Sequence, residues 1–498
     1  MDLILVNPYP EGARGINEGT VEPPLGLAYL AAAARDRGFA VDLVDANALR
    51  VGTEPLAEYA ISVNPAAVGI STNVVTHSAG AVLAKRLREV GFRGRIIFGG
   101  PLPSAIPEYC LKSAPVDTVV VGEGEQTLVE IMGNLTSGRG EPFRGVKGCL
   151  WRDRTGETVR ESPRHLIENL DSLPLPAWDL LPPFEYYKSR ARRRPIGAVI
   201  CSRGCPYQCT YCNKSIFGSR YRRYSTPRVL EEVGILVKHF GIRQLDILDD
   251  NLTLDLDWAK ELFRGLVGFG LAINLQNGIR ADHCDKELLD LMKAAGVFKL
   301  SLGVESGCPE VQAGTKKKLD LDKVIRTTRW ARRRGMVVYG NFILGLPYDS
   351  RETMEQTVEF ALKMDPDAAT FNYLLPLPGT EVWAEIEKKG EFFFRLDDPA
   401  VSGFYASGIR YRLPGMDPEQ VSRFYRLAYR RFYLRPGKII GLLRRSLYPG
   451  ELGWLIETVL GVLGLSLPAG RRYRIPPERR IRLKSLNPPD KVSSGSER

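Results

Sequence analysis

Residues 205–212 read Cys205-Pro206-Tyr207-Gln208-Cys209-Thr210-Tyr211-Cys212. They follow a short apolar run, 197–201, that reads as a strand, so the three thiols lie on the loop leaving its carboxyl end. Such a loop can wrap three sulfurs around one face of a small metal cluster. On a four-iron cluster, three cysteines leave one iron without a protein ligand, and an open metal position is where a chelating substrate can bind. The alternative is a structural zinc site with Cys201 as fourth ligand. Structural zinc usually draws on two separated ligand pairs, and here four of the 8 Cys fall in one short stretch with no distant pair. Cys110, Cys149, Cys284 and Cys308 are scattered and read as buried packing residues.

Around this loop the chain alternates strand and helix signals. Candidate strands at 197–201, 244–248, 272–276, 299–304, 337–344 and 369–374 are separated by helical stretches such as 227–240, 285–295 and 321–334. Strand–helix units in series predict a partial (β/α)6 barrel of TIM type over 195–395. Upstream, strands at 3–7, 41–45, 67–71, 95–99 and 118–121 alternate with helices at 25–35, 79–90 and from Glu123 onward. This predicts an α/β, doubly wound parallel sheet of Rossmann-like form over 1–140, in which ligands bind beyond the carboxyl ends of the strands. Residues 141–194 read as a connector. In it, 145–152 and 157–161 can pair as a hairpin, and the Pro-rich 173–183 excludes a regular helix. Residues 396–498 read as a mainly helical C-terminal region with a polar, Pro- and Ser-rich end at 487–498.

With 498 residues, the length fits about three domains. Hydrophobic residues make up 44% and charged residues 26%. That mix excludes a disordered tail protein, a collagenous repeat and a polytopic membrane protein. The apolar run 3–6 is too short for a signal peptide, and no run reaches a spanning length. The expected location is the cytoplasm, where clustered thiols more often bind metal than form disulfides. Lys+Arg 69 against Asp+Glu 58 gives a net charge of +11. No nucleic-acid-binding motif accompanies it, so no nucleic-acid partner is expected. The apolar stretch 454–467, flanked by arginines, reads as a helix covering the barrel mouth. As an interfacial helix it would give peripheral contact with the inner face of a membrane.

The Cys spacing, with Tyr211 before the last Cys, resembles the signature of the radical S-adenosylmethionine superfamily. Ser202-Arg203-Gly204-Cys205-Pro206 and Arg222-Arg223-Tyr224-Ser225 are similar to segments of its cobalamin-dependent branch. The resemblance implies a 4Fe–4S cluster on Cys205, Cys209 and Cys212, with S-adenosylmethionine on the open iron. It implies S-adenosylmethionine contacts from Tyr211, from Asp249 and Asp250 after the second barrel strand, and from Arg280 after the third, as a fork on the methionine carboxylate. Glu305 after the fourth strand is implied on the ribose hydroxyls. Gly345, within 340–347, is implied beside the adenine.

Small residues also mark strand ends in the N-terminal sheet: Ser71 and Thr72, Gly99 and Gly100, Gly122 and Glu123. Glycines there let a flat, bulky ligand approach the backbone. With Pro23-Pro24-Leu25-Gly26 and Asp45, this layout resembles a cobalamin-binding domain, and these six residues are its implied cobalamin contacts. The usual Asp-x-His-x-x-Gly motif after the first strand is absent. His77 follows the third strand and reads as a helix-start residue, so a histidine below the corrin is not expected.

The resemblance implies a cobalamin-dependent radical enzyme that cleaves S-adenosylmethionine to a 5′-deoxyadenosyl radical. That radical abstracts hydrogen from an unactivated carbon of a small-molecule or lipid substrate, which then receives the methyl group of methylcobalamin. An electron donor such as flavodoxin or ferredoxin is implied. Oxidative cyclisation or carbon–carbon rearrangement is the enzymatic alternative, and a non-catalytic metal-binding scaffold the other.

Overall fold

The computed structural model describes residues 1–10, 21–187, 191–396 and 408–445. The apolar stretch 454–467 and the polar end 487–498 lie outside the described residues. No described helix is long and apolar enough to cross a membrane.

Leu3-Ile4-Leu5-Val6 is apolar without alternation and buried at every position, as expected of a strand covered on both faces. It belongs to β1 (Leu3–Asn7). There follow α1 (Leu25–Asp36), β2 (Val41–Asp45), α2 (Ala46–Leu49), α3 (Thr53–Val63), β3 (Ala67–Ser71), α4 (His77–Glu89), β4 (Arg95–Gly99), α5 (Pro101–Ala105), α6 (Pro107–Ser113), β5 (Thr118–Val120) and α7 (Glu125–Thr136). β1 to β5 pair in parallel in the order β2-β1-β3-β4-β5. The hairpin of β6 (Cys149–Arg152) and β7 (Thr158–Arg160) then extends this sheet antiparallel from β5. The stretch read as connector thus carries the last two strands of a seven-stranded sheet.

The second sheet holds β8 (Ile196–Val199), β11 (Gln244–Ile247), β12 (Ala272–Leu275), β13 (Val297–Glu305), β14 (Val337–Leu344) and β15 (Ala368–Tyr373), all parallel and in chain order. A two-residue ladder of β9 (Ser202–Arg203) and β10 (Arg222–Arg223) flanks the cysteine loop. Among the described residues, no ladder joins β8 to β15, so the barrel is open.

The helices around it are α8 (Thr226–Phe240), α9 (Leu256–Leu266), α10 (Lys286–Ala295), α11 (Pro309–Gly314), α12 (Leu321–Arg333), α13 (Arg351–Met364) and α14 (Glu381–Lys389). Their starts are written in the sequence. Ser225, Asp255, Asp285, Asp320, Ser350 and Thr380 each accept a first-turn N–H, satisfying donors that the helix leaves unpaired. In α9 the buried side chains Trp258, Ala259, Leu262, Phe263 and Leu266 form one apolar stripe.

The short β16 (Glu391–Phe392) pairs with β17 (Tyr411–Arg412), and α15 (Pro418–Tyr433) and α16 (Pro436–Arg445) follow. Helix α15 packs along β15. Its Tyr425, Tyr429 and Tyr433 recur every four residues on one face. Tyr425 stacks on Tyr373 at 4.5 Å. The Tyr433 hydroxyl donates to the Ala369 carbonyl at 2.7 Å and accepts from its N–H at 3.0 Å. The Tyr429 hydroxyl makes the same pair of bonds with Phe371, at 3.3 Å each. Tyr433→Phe should lower stability by about 1–3 kcal/mol, since it leaves a buried N–H and C=O unpaired. A urea midpoint equal to wild type would refute this account.

One apolar core runs through both sheets. Helix α1 is its wedge: Leu25, Leu27, Ala28, Tyr29, Ala31, Ala32 and Ala34 are all buried. Tyr29 stacks on Tyr224, and its hydroxyl donates to Glu232 of α8 at 3.3 Å. Burial raises the Glu232 carboxyl to about 7, Glu22 to about 7, and Asp45 and Asp349 to about 6 each. Unfolded, such groups titrate near about 4. Between these limits the folded chain holds more protons than the unfolded one. These groups therefore make stability fall as pH rises from about 4 to about 7, with the loss complete above that. Glu232→Gln should flatten part of this slope. Urea midpoints at about pH 5 and about pH 8 test it, and an unchanged slope would remove Glu232 from the account.

Candidate cofactor site

The cysteine loop leaves β8 through Cys201, which is fully buried, and turns at Gly204, whose φ is 82°. A Cβ at Gly204 would stand 2.3 Å from the Arg220 carbonyl oxygen, so only glycine permits this turn. Of the eight cysteines, Cys110, Cys149, Cys201, Cys284 and Cys308 are buried, whereas Cys205, Cys209 and Cys212 reach the surface. Neighbouring elements grip the loop. Thr210 N–H donates to Thr315 O at 3.0 Å, and Val382 N–H donates to Thr210 O at 3.1 Å. The Tyr207 hydroxyl shares a hydrogen bond with His283 Nε2. Asn251 Nδ2 lies 4.0 Å from Cys205 Sγ, while Asn251 Oδ1 is buried without a partner.

Among the described residues, no three His, Cys, Asp or Glu side chains converge on one metal ion. Three soft thiolates on one loop fit a cluster in which each takes a different iron. The surrounding protein and the neighbouring Cys209 push the Cys212 thiol up to about 11, although part of that residue is exposed; burial raises Cys205 as well. Metal binding here displaces protons.

The residues expected around S-adenosylmethionine fall into two groups. Glu305, at the carboxyl end of β13, has a φ of 67°, a costly conformation for a non-glycine residue and typical of functional sites. Its carboxylate pairs with Lys317 at 3.2 Å. Gly345 has a φ of 82° and donates its N–H to Asp349 at 2.9 Å. Tyr211 packs against a small apolar cluster that includes Cys308 and Leu346, and Asp250 is exposed.

Asp249 and Arg280 are committed elsewhere. The Asp249 carboxylate is buried and accepts from Cys201 N–H at 2.7 Å and Ser202 Oγ at 2.5 Å, bracing the strand that leads to the cysteines. Burial holds it up to about 7. The Arg280 fork, expected to grip a carboxylate of the ligand, is bound to Asp282 and to the carbonyls of Lys317 and Lys318, with its guanidinium 3.8 Å from the Tyr207 ring centroid. These contacts and the Tyr207 ring place Arg280 against the cysteine loop.

On the first sheet, Ser71, Thr72, Gly99, Gly100 and Gly122 gather at the carboxyl ends of β3, β4 and β5. Thr72 N–H donates to Gly99 O at 2.8 Å, and Thr72 Oγ1 is buried without a partner. Gly100 has a φ of 101°, and a Cβ there would lie 2.7 Å from Thr72 O. Gly122 has a φ of 81° and donates to Ser104 Oγ at 3.0 Å. These bare turns and the free hydroxyl fit a flat, polar-edged ligand such as a corrin. His77 is buried at the start of α4, with Nε2 on Ser113 Oγ at 3.0 Å and its ring against Phe98 and Tyr109.

Glu123 departs from its expected cobalamin contact. Arg203 and Arg222 each reach Glu123 at 2.9 Å, and Ile167 N–H donates to it at 2.8 Å. Arg203 also reaches Glu125 at 2.8 Å. All four side chains are nearly inaccessible. The reason is position: the turn after Gly122 faces the β9–β10 ladder beside the cysteine loop, so its acid meets two arginines there.

The carboxyl ends of both sheets meet. Ser215 Oγ donates to Pro101 O at 3.3 Å. A Cβ on Gly379 would stand 3.1 Å from Ala105 Cβ, and one on Gly122 3.9 Å from Ile216 O. The segment after Cys212 thus lies against the glycine turns. Sequence reasoning missed Lys317, which sits in a run of three lysines. It also missed Tyr207 and gave Arg203 no role, although Arg203 stands inside the quoted motif.

Residues 199–361 match the radical SAM superfamily model, and residues 13–132 match the B12 binding domain model. The chain is 32% identical to an uncharacterised methyltransferase of Pyrococcus horikoshii, over 88% of this chain and 94% of the relative. It is 31% identical to the cytidylyl-2-hydroxyethylphosphonate methyltransferase of Streptomyces wedmorensis, over 80% of this chain and 84% of the relative. Among solved structures, the radical S-adenosylmethionine methyltransferase TsrM of Kitasatospora setae, with cobalamin and a 4Fe–4S cluster bound, shares the fold. The TM-score is 0.69 at 20% identity, covering 88% of this chain and 90% of that one. The motif, the meeting of the two sheets and these relatives agree: the chain belongs to the radical S-adenosylmethionine enzymes that carry an N-terminal B12-binding domain, a family that includes methyltransferases.

Proposed function

We propose that this protein transfers a methyl group to an unactivated carbon, using a 4Fe–4S cluster, S-adenosylmethionine and cobalamin. One observation carries the reading: the segment that follows Cys212 touches the glycine turns of the first sheet, so the cysteine loop and those turns are neighbours. Two cofactors held there are within reach of one substrate. When bound, the cluster supplies the electron that cleaves S-adenosylmethionine, and cobalamin supplies the methyl carrier.

The chain's own residues bind and orient. Cys205, Cys209 and Cys212 hold the cluster, and the backbone clamp at Thr210 fixes the loop. Glu305, paired with Lys317, accepts hydrogen bonds from ribose hydroxyls. Gly345 sets its backbone beside the adenine, Tyr211 walls the pocket, and Asp250 attracts the methionine ammonium. Ser71, Thr72, Gly99, Gly100 and Gly122 cradle the corrin. An acidic electron carrier such as flavodoxin or ferredoxin delivers the electron.

The test is anaerobic purification followed by reaction with methyl-labelled S-adenosylmethionine and cell extract. A brown protein with corrin absorbance, forming 5′-deoxyadenosine and a labelled product, is expected. A colourless zinc protein would overturn the proposal. Labelled S-adenosylmethionine consumed without methyl incorporation would favour a cyclase, the activity of relatives such as the anaerobic magnesium-protoporphyrin IX monomethyl ester cyclase of Rubrivivax gelatinosus, 26% identical over 74% of this chain and 67% of the relative.

A further inference from the structure

Four buried charges join the segment after Gly122 to β9 and β10, the ladder that flanks the cysteine loop. Glu123 and Glu125 lie on one side, Arg203 and Arg222 on the other, and no side chain of the four is more than 7% exposed. Two cations meet two anions, so the cluster is neutral. Arg203 is also held between two rings, its guanidinium 5.2 Å from the Tyr29 centroid and 5.1 Å from that of Phe217. Arg222 further donates to the Ile167 and Phe217 carbonyls, at 2.7 and 3.0 Å.

Stability alone does not explain such a joint. Desolvating four ions is costly, and apolar side chains of equal volume would hold two domains together as well or better. What guanidinium forks add is direction: they fix angle as well as distance. The two joined segments are those that carry the cofactor candidates. Gly122 immediately precedes Glu123, and Cys205 follows Arg203 by two residues.

We propose that Glu123, Glu125, Arg203 and Arg222 are positioning residues that set the spacing between the corrin turn and the cysteine loop. This rests on the cofactor reading above. Methyl transfer needs both cofactors aimed at one carbon, and the cluster is the only ionic joint among the described residues that ties Glu123 and Glu125 to the segment before Cys205.

Two variants of the full chain test it. Glu125→Gln keeps shape and removes a charge; Arg203→Lys keeps the charge and removes the fork. Measured without cofactors, amide hydrogen exchange should rise together in 122–125 and 204–212, by roughly tenfold or more, and stay unchanged in β12 and β13. In the loaded protein, the magnetic coupling between reduced cluster and paramagnetic cobalt should broaden. The control is Arg88→Met. It breaks the Arg88–Asp117 pair at the amino ends of β4 and β5, and should lower stability without either effect.

Wild-type exchange at both loops in Glu125→Gln overturns the proposal, as does an unbroadened coupling in both variants. If Arg203→Lys does not fold, Glu125→Gln decides alone. Absence of corrin from the wild-type protein defeats the cofactor reading instead, and the exchange data still decide whether the charges couple the two loops.

Discussion

Cys209→Ala is expected to abolish 5′-deoxyadenosine formation and to remove most of the iron and visible absorbance recovered after anaerobic reconstitution. Cys209 is the middle of three thiols on one loop, and Thr210, the next residue, is clamped by Thr315 and Val382. No other cysteine can replace it, since the remaining five are buried. Burial also holds the Cys201 thiol well above its ordinary range, so it stays protonated and is a poor ligand. Cys201→Ala should therefore keep its iron. Full cluster content and activity in Cys209→Ala would sink the assignment. Loss of iron in Cys201→Ala would make that residue a ligand after all.

Glu123→Ala should destabilise the protein by about 3–5 kcal/mol, the usual effect of removing one partner from a buried ion pair. Arg222 would lose its acidic partner, and Arg203 would keep only Glu125. Burial already works against the charge on Arg203, and the carboxylates of Glu125 and Glu123 sustain it. Chemical denaturation measures the effect. The result separates two roles: a corrin contact would lower corrin retention with little change in the urea midpoint, whereas the ionic joint predicts a large midpoint shift even without corrin.

Much of this architecture was legible because local signals agreed with the global fold. The strands at 3–7, 41–45, 67–71, 95–99 and 337–344 appear with those bounds. Apolar runs bounded by turns are strong signals, and the helix caps at Ser225, Asp255 and Asp285 reinforce them. Cysteine spacing is similarly local, so the three thiols stood out. Long-range partners were not legible. Nothing near Glu123 in sequence announces Arg203, 80 residues away, or tells that Asp282 and two carbonyls will occupy Arg280. The hairpin of β6 and β7 was visible as a pair, but its docking on β5 depends on an edge that only the assembled sheet presents. A motif's residue type shows what chemistry is available. Which partner uses that chemistry is settled by packing.

The tyrosines of α15 have one further consequence. An open barrel ends in a strand whose outer N–H and C=O groups could template pairing with a second chain. On β15, the hydroxyls of Tyr429 and Tyr433 occupy these groups at Phe371 and Ala369. Two phenols thus do the work of a missing seventh strand, and they guard the chain against edge-to-edge aggregation.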